Sequence, residues 1–429
     1  MHVIIAGGGI GGLALARGLR RADVEVTVLE RDTDLRRTGG YSLHLQAEAL
    51  DGLRELLAPE AVEQLYAVSQ GAWNQRGFAI RDHRGRLIAV DRSVSAEDSL
   101  DVDRVTLRLL LADTLDDALR RGARVTGYER EDGGDTGTGR GGGRVAALLD
   151  DGSRVVGDVL VAADGVGSAI ATRLAGGPTS APIGLVGLAG RTPEGAVAPA
   201  GRAMLGNRST LAVGPGGSGL YVGHHAPLDQ AAVRSFTGPP PLGVEPSYVW
   251  GVILLDWAGT AALRSVRGAD LVAAAEDELA RRHWGGELLD VVRRADPGTT
   301  SSFRFHAAPR YAAGLAVWPA GEVTALGDAV HAMPPTGGRG ASTAIQDAHV
   351  LHRELLAARD GHKTVPMAVH DYQRAMRPYA AAAVAESLQP VGWIRASAKP
   401  LGAAVARAGL PAAAAVAWAV RSARHRQGG

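Results

Sequence analysis

Residues 2–30 read HVIIAGGGIGGLALARGLRRADVEVTVLE, and this stretch decides the fold of the chain around it. A short apolar run is followed by a glycine cluster, a helical run to Arg21 and a second apolar run, residues 24–29, which ends at Glu30. The pattern predicts a strand, a helix and a parallel strand, with G-x-G-x-x-G at the first turn. The stretch therefore predicts a βαβ unit that binds a dinucleotide.

Each part of this fingerprint has a physical role. Gly7 permits the tight turn, Gly9 lets a pyrophosphate approach the backbone, and Gly12 lets the helix pack closely on the strand. Glu30 is predicted to accept hydrogen bonds from a ribose 2′-OH. The same unit places Ile10, Gly11 and Arg31 beside the nucleotide. The alternative interpretation is a glycine-rich turn with Glu30 as a solvated charge.

Composition limits the function. The chain has 429 residues, 46% of them hydrophobic, a net charge of +1 and no cysteine. This length predicts two domains or one large composite unit. Disulfides, thiolate metal sites and cysteine redox pairs are excluded. The weak charge does not favour nucleic acid. The longest apolar stretch, residues 408–420, is too short for a membrane span, no signal-peptide pattern is present, and a cytoplasmic protein is expected.

The remaining segments alternate between strand and helix patterns. Residues 77–90 predict a hairpin, and residues 103–121 predict a helix with one leucine face. The glycine-rich residues 132–143 predict a long hairpin tip, and residues 155–163 predict one buried parallel strand. Residues 180–310 predict a mainly antiparallel sheet. A buried strand at 322–326 and helices at 340–358, 366–388 and 400–426 follow.

A second strong signal is LGDAVHAMPPTGGRGASTAIQDA, residues 326–348. A buried strand delivers Gly327 and Asp328 at its carboxyl end, where ligands bind in such sheets. Two prolines and a glycine loop then open another helix. A short carboxylate suits a sugar-like hydroxyl chain, and a helix N-terminus suits a group that becomes negative. A reduced flavin makes both demands.

With these motifs, and with ADGVGS at residues 163–168 in the expected order between them, the chain resembles the class A flavoprotein monooxygenases, the para-hydroxybenzoate hydroxylase fold group. The resemblance implies an α/β protein: a Rossmann-like FAD-binding domain, an inserted, mainly antiparallel β-sheet substrate domain, and C-terminal helices. We expect residues 1–72, 102–178 and 306–370 to bind FAD. Residues 73–101 and 179–305 are expected to form the substrate domain, and 371–429 a C-terminal helical region.

The resemblance also implies the residues that bind FAD. Asp328 would bind the ribitol, and Arg104 matches the R-x-x-L arginine of the family. The implied set further contains Gly40, Gln46, Asp164, Gly165, Gly327, Pro335, Gly337, Gly338, Gly340, Ala341 and Ser342. Two positions depart from the family pattern: Ala171 replaces an arginine, with Arg173 two residues later, and Ser342 replaces an asparagine.

Simpler roles remain open for several of these residues. Asp328 could cap a helix or turn, Asp164 could form an Asx-turn, and Arg104 could form a surface ion pair. We interpret His331 as structural. His225, Phe303 and Phe305 are candidates for substrate binding, and His44, His224 and Arg304 are weak candidates for catalysis. Half of an alternating set of strand residues faces away from any one cavity.

The implied reaction begins when NADPH or NADH, bound transiently, reduces FAD. The reduced flavin adds O2 to give a C4a-hydroperoxide, which transfers one oxygen atom to the substrate. Hydroxylation, epoxidation or oxygen insertion on an aromatic or polyketide-like small molecule of secondary metabolism is expected, with no metal and with a monomer or homodimer as the active form. The alternatives are a flavin-dependent reductase and a non-catalytic FAD-binding protein. A flavin halogenase is disfavoured because W-x-W-x-I-P is absent.

Overall fold

The computed structural model describes residues 1–37, 42–71, 78–91, 99–131, 143–237 and 244–399. Gly40, the glycine-rich residues 132–142 and the predicted helix at 400–426 lie outside the described residues. Within the described part of the chain, no helix is long and apolar enough to cross a membrane.

The strands of the described residues are, in chain order, β1 (His2–Ala6), β2 (Glu25–Glu30), β3 (Ser42–Leu45), β4 (Gln70–Gly71), β5 (Phe78–Asp82), β6 (Leu87–Asp91), β7 (Leu100–Asp103), β8 (Leu119–Arg121), β9 (Val125–Glu131), β10 (Arg144–Leu149), β11 (Arg154–Gly157), β12 (Val159–Ala162), β13 (Ala181–Pro193), β14 (Thr210–Gly214), β15 (Ser218–His225), β16 (Ser247–Leu255), β17 (Ser301–Ala307) and β18 (Val323–Ala325).

The α-helices of the same residues are α1 (Ile10–Arg21), α2 (Ala47–Leu56), α3 (Pro59–Val68), α4 (Arg104–Ala112), α5 (Ala169–Ala175), α6 (Pro199–Leu205), α7 (Gln230–Thr237), α8 (Ala258–Ala261), α9 (Gly268–Ala280), α10 (Gly286–Arg293), α11 (Asp328–His331), α12 (Gly340–Arg359), α13 (Val365–Ser387) and α14 (Gln389–Ala396).

A five-stranded parallel sheet, in the order β18-β12-β1-β2-β8, carries the dinucleotide fingerprint. Strand β12 is fully buried, β1 is buried from Val3 to Ala6, and α1 and α12 share one hydrophobic core with these strands. Because the strands are parallel, the turns that follow β1, β12 and β18 lie at the same edge of the sheet. The sheet therefore brings the three sequence motifs to one edge.

Two local predictions are wrong. The predicted helix at 103–121 ends at Ala112, because Asp113 adopts an extended ψ of 139° and Leu119–Arg121 pairs with β2 as a parallel strand. The leucines of the predicted face are nevertheless buried. The predicted strand at 155–163 is two strands, since β11 pairs with β10 and the N–H of Asp158 binds the carbonyl of His2 before β12 begins. Strand pairing decides both boundaries.

A seven-stranded sheet, in the order β17-β13-β16-β15-β14-β5-β6, forms the second large layer. Its pairs are antiparallel except for β14 with β5. One face carries Val222 and Trp250 and packs on α9 and α10. The opposite face carries Ile253 and Phe305, which pack on Ile394 of α14. Residues that alternate along each strand therefore enter two separate environments.

A small antiparallel sheet, β3-β7-β4, lies between these two regions. Strand β7 leads directly into α4, whose N-cap is Asp103. The Asp103 carboxylate also binds the guanidinium of Arg191, which belongs to β13 of the large sheet. The small sheet thus connects the fingerprint region to the seven-stranded sheet through a buried ion pair.

Candidate active site

The glycines of the first turn have two different roles: Gly7 and Gly12 are needed for the fold, and Gly9 leaves room for a ligand. Gly7 has a φ of +113°, and a Cβ there would lie 2.3 Å from the carbonyl oxygen of Ala163. A Cβ on Gly12 would lie 2.3 Å from the carbonyl oxygen of Gly7. A Cβ on Gly9 would have its nearest neighbour at 3.9 Å. Gly9 therefore faces open space beside the N-terminus of α1, where a pyrophosphate could bind.

The other residues of this unit lie where the fingerprint places them. Ile10 is buried in the first turn of α1. A Cβ on Gly11 would lie 2.8 Å from Leu326, so this glycine lets α1 approach the second motif closely. Arg31 is exposed just after β2. The fingerprint helix and the motif near residue 330 are therefore packed against each other.

Glu30 is buried at the end of β2 and accepts several hydrogen bonds. Its carboxylate accepts from the N–H of Gly8 at 2.6 Å and from the N–H of Asp32 at 2.7 Å. Arg108, which the sequence analysis missed, lies 3.0 Å from the Glu30 carboxylate and donates to the carbonyl of Gly8 at 2.8 Å. Arg108 therefore holds the Glu30 side chain in place. The sequence signal that could have indicated Arg108 is its position four residues after Arg104, one helical turn along α4.

Asp328 lies at the start of α11, directly after a turn in which Gly327 has a φ of +63°. Its side chain is exposed, yet desolvation by the surrounding protein atoms raises the pKa of its carboxyl. The positive charges of His331 and Arg104 act to lower this pKa but do not cancel the rise. Arg104, at the first position of α4, is therefore close enough to act on Asp328. The structure brings together two residues that are more than 200 positions apart in sequence.

A buried network holds this turn from behind. The Asp347 carboxylate accepts from the N–H of Gly327 at 2.8 Å and from Nε2 of His331 at 2.6 Å. The hydroxyl of Tyr379 donates to the other Asp347 oxygen at 2.8 Å. Burial acts to lower the pKa of His331, but the Asp347 charge prevails and raises it. His331 therefore supports the turn, and Asp347 is a second residue that sequence reasoning missed.

The turn after β12 brings Asp164 beside the fingerprint. Its Cα would lie 2.8 Å from a Cβ on Gly7. Its Oδ1 is buried without a hydrogen-bond partner among the described residues, and burial raises the pKa of its carboxyl. Gly165 follows with a φ of +78° and no neighbour near its Cβ position. Arg173, in contrast, binds the carbonyl of Tyr128 at 2.5 Å and stacks on its ring, so it is held away from this turn.

The glycine loop before α12 is tied to β3. Pro335 and Gly337 form a 3₁₀ turn, and Gly338 has a φ of +63°. The Ser342 hydroxyl donates to the carbonyl of His44 at 3.0 Å and accepts from the N–H of Gln46 at 3.2 Å. Arg339 donates to the Gln46 side chain. The side chains of Gln46 and Ser342 therefore join two segments.

The first turn of α12 has backbone N–H groups that are available to a ligand. A helix leaves its first N–H groups without intrahelical partners, and these groups carry partial positive charge. In α12 they belong to Gly340, Ala341 and Ser342, while the N–H of Thr343 already binds the carbonyl of Arg339. This helix end therefore suits a group that becomes negative.

The large sheet separates the predicted substrate and catalytic residues by face. His224 lies on the face that packs against the helices, with Nε2 3.3 Å from Glu194, and Arg304 pairs with Asp256 at 3.1 Å on that same face. His225, Phe303 and Phe305 lie on the opposite face. There the two phenylalanine rings stack with centroids 5.3 Å apart. Strand alternation thus places His224 and Arg304 away from the three substrate candidates.

The face that carries the phenylalanines also has open space near its centre. Gly251 of β16 pairs with Ala189 and Tyr221 in the neighbouring strands. A Cβ on Gly251 would have no neighbour within 4 Å. Tyr221 leans away, since its hydroxyl binds Ser209 at 3.0 Å and lies over Gly223. Gly251 and its small neighbour Ala189 therefore leave open space on this face, as a cavity for a ring system would require.

Comparison with sequence families agrees with this geometry. Residues 283–387 match the model of a FAD-binding domain, and residues 5–54 match the model of a NAD(P)-binding Rossmann-like domain. The first range contains Asp328 and the glycine loop, and the second contains the fingerprint and Glu30. The room beside Gly9, the free oxygen of Asp164 and the exposed carboxylate of Asp328 fit FAD as the bound group.

Curated relatives and solved structures are similar over most of the chain. A dual O-methyltransferase/FAD-dependent monooxygenase, elcB, from Phaeosphaeria nodorum is 29% identical over 382 residues, 82% of this chain and 40% of that protein. The chloroplastic zeaxanthin epoxidase of Oryza sativa is 28% identical over 82% of this chain and 48% of its own length. The chain thus spans about half, or less, of the length of these relatives.

Two crystal structures show the same fold. A protein from Photorhabdus luminescens, assigned as a FAD-containing monooxygenase, superimposes with a TM-score of 0.72 and 25% identity, covering 91% of this chain and 97% of that one. HpxO from Klebsiella pneumoniae, complexed with FAD and uric acid, gives a TM-score of 0.70 at 20% identity, covering 95% and 93%. The Rossmann-like α/β fold expected from the sequence is confirmed.

Proposed function

From its FAD-binding domain and its fold, which are those of the class A FAD-dependent monooxygenases, we propose that the chain is a single-component, NAD(P)H-dependent monooxygenase. The observation that carries this proposal is the meeting of three distant motifs at one edge of the parallel sheet, together with open space at Gly251 on one face of the seven-stranded sheet. The edge of the parallel sheet suits a flavin, and the open space on the seven-stranded sheet suits an apolar substrate.

The residues of the chain have separate tasks in this proposal. Gly9 and the start of α1 would bind the pyrophosphate, Glu30 the adenosine ribose, and Asp328 the ribitol. The first turn of α12 would hold the flavin ring, which becomes negatively charged on reduction. When bound, FAD supplies the electron transfer from NAD(P)H and the activation of O2. The apolar face around Gly251 would exclude water and orient the substrate.

The domain limits follow the same division. We propose residues 1–72, 102–178 and 306–370 as the FAD-binding domain and 73–101 and 179–305 as the substrate domain. The strand positions support this division, because the parallel sheet draws its strands from the first set and the seven-stranded sheet from the second. Strand β17 crosses the boundary by two residues.

We propose an aromatic or polyketide-like substrate of secondary metabolism, hydroxylated or epoxidised. The open space at Gly251 supports a flat, apolar ring system, and the half-buried ring of Phe303, which stacks on the buried Phe305, lies on the same face. The names of the curated relatives, a dual O-methyltransferase/FAD-dependent monooxygenase and a zeaxanthin epoxidase, support oxygen transfer as the reaction type. A flavin-dependent reductase is the second candidate, since the same parallel-sheet edge would serve it equally well.

One experiment separates these functions. The purified protein is loaded with FAD, reduced anaerobically with NADH or NADPH, and then mixed with ¹⁸O2 and a panel of polycyclic phenols and alkenes. A product that contains one ¹⁸O atom, formed with matching NAD(P)H consumption, supports the monooxygenase. Saturated products without ¹⁸O would indicate the reductase, and failure of both nucleotides to reduce the flavin would indicate a binding protein.

A further inference from the structure

A histidine–carboxylate pair lies on the small sheet between the two large ones. His44 of β3 stands opposite Asp101 of β7, and its Nδ1 donates to the Asp101 carboxylate at 2.8 Å. The Asp101 side chain is 6% exposed, whereas the His44 side chain is 28% exposed. The pair therefore has a buried acidic end and an imidazole end that a ligand can reach.

This pair borders both halves of the candidate site. A Cβ on Gly338, in the glycine loop before α12, would lie 3.8 Å from the Cβ of His44. Ser342 fixes the His44 backbone through its carbonyl. On the other side, burial and the charge of Asp101 raise the pKa of Tyr221, on the open face of the large sheet, to about 12. His44 thus lies where a flavin-side loop meets the substrate face.

The polarity of the pair follows from its hydrogen bonds. A carboxylate only accepts, so Nδ1 of His44 carries the hydrogen and Nε2 of the neutral ring carries a lone pair. The second oxygen of Asp101 is buried and has no hydrogen-bond partner among the described residues. Asp101 thus holds the imidazole with its Nε2 turned away from the carboxylate, as the acid of a catalytic triad does. Arg339, in the glycine loop, is bound to Gln46 and paired with Glu386.

We propose that His44 is the proton acceptor for an acidic O–H group of the substrate, with Asp101 as the residue that positions and stabilises it. The substrate O–H bond breaks, its electron pair stays on oxygen, and the proton forms the N–H bond at Nε2. The resulting oxyanion makes the adjoining carbon framework a stronger nucleophile toward an electrophilic oxygen. The proton returns to solvent after product release. This proposal rests on the proposed monooxygenase function.

The test uses the FAD-loaded full chain and 4-nitrophenol, whose anion has its own visible absorption band. His44→Asn keeps a side-chain N–H for Asp101 and removes the Nε2 acceptor. Below the solution pKa of the probe, binding to the wild type should generate the anion band, whereas binding to His44→Asn should not. His349→Asn is the matched control, because it alters another histidine–carboxylate pair, His349 with Glu55 at 2.7 Å, outside the site.

Asp101→Asn separates charge from geometry. The asparagine still accepts from Nδ1 but carries no charge, so a weaker anion band with retained probe binding is expected. A wild-type protein that leaves the probe neutral or does not bind it, or a His44→Asn variant that ionises it equally, would overturn the assignment.

Turnover gives an independent measure. With an O–H-bearing substrate found in the ¹⁸O2 screen, His44→Asn should lower kcat by about 10²–10⁴-fold and change KM little. Equal turnover by the variant would refute the assignment. Ionisation of the probe needs no turnover, so it would still support the pair if oxygen transfer itself failed.

Discussion

The parallel sheet and the seven-stranded sheet use glycine in opposite ways. At the edge of the parallel sheet, Gly7 and Gly12 are required because backbone atoms lie 2.3 Å from their Cβ positions, whereas Gly9 faces open space. On the open face of the large sheet, Gly251 faces space that no described residue fills. The first region is thus specified by backbone contacts within a motif. The open face of the large sheet is specified by the positions of small side chains along its strands.

The largest expected effect compares two neighbouring glycines. Gly12→Val should prevent folding or strongly lower the melting temperature, because its side chain meets the Gly7 carbonyl. Gly9→Val should fold normally but stay colourless when offered FAD, because its side chain occupies the ligand space. Circular dichroism and flavin absorbance measure the two properties. A yellow, FAD-saturated Gly9→Val protein would remove this position from the cofactor site.

The ion pair that joins the two regions should give the next largest effect. Burial acts to raise the pKa of Asp103, but Arg191, His225 and the N–H of Thr106 lower it overall. Asp103→Asn should reduce the free energy of unfolding by about 3–5 kcal/mol at neutral pH, since Arg191 loses its partner. Asp51→Asn, in the exposed pair with Arg54, should change it little.

The pH dependence of this pair has a definite sign. A carboxyl whose folded pKa is depressed stabilises the fold above its unfolded value, here 3.8, and that contribution is lost as the pH falls through the folded pKa. The difference in unfolding free energy between wild type and Asp103→Asn should therefore shrink below pH 3.8 in denaturant titrations. A difference that persists unchanged in acid would mean that the charge of Asp103 is not what stabilises the connection.

A smaller effect, confined to ligand binding, is expected on the open sheet face. Gly251→Leu should retain FAD but bind 4-nitrophenol at least about tenfold more weakly, because one added methylene in a filled pocket is worth ~1–3 kcal/mol. Gly127→Leu is the control, since β9 offers the same open space far from this face. Spectroscopic titration measures both. Unchanged binding in Gly251→Leu would place the ligand elsewhere.

The smallest effects are expected for the two candidates on the helix-packed face. His224→Gln and Arg304→Gln alter pairs with Glu194 and Asp256 and should leave probe binding and turnover within about twofold of wild type, with stability changes below about 1 kcal/mol. A tenfold loss of turnover in either variant would show that both faces of the sheet serve the reaction.

The sequence by itself determined the βαβ unit, the α/β fold and the motif near residue 330, because glycine spacing, strand burial and helix starts are local properties of the chain. It did not determine Arg108 or Asp347, since their partners Glu30 and Gly327 are distant in sequence. The sequence also did not predict where α4 ends and where β12 begins, because these boundaries depend on pairing of β8 with β2 and of β12 with β1.

Only the tertiary structure decided which strand residues face the candidate site. Neighbouring residues such as His224 and His225 read alike in sequence, yet the pleat directs one to the helices and the other toward the small sheet. The pairing of His44 with Asp101 likewise follows from strand register, which depends on packing between segments 57 residues apart. The physical reason is common to these cases: motif geometry is local, whereas side-chain orientation in a sheet depends on its partners.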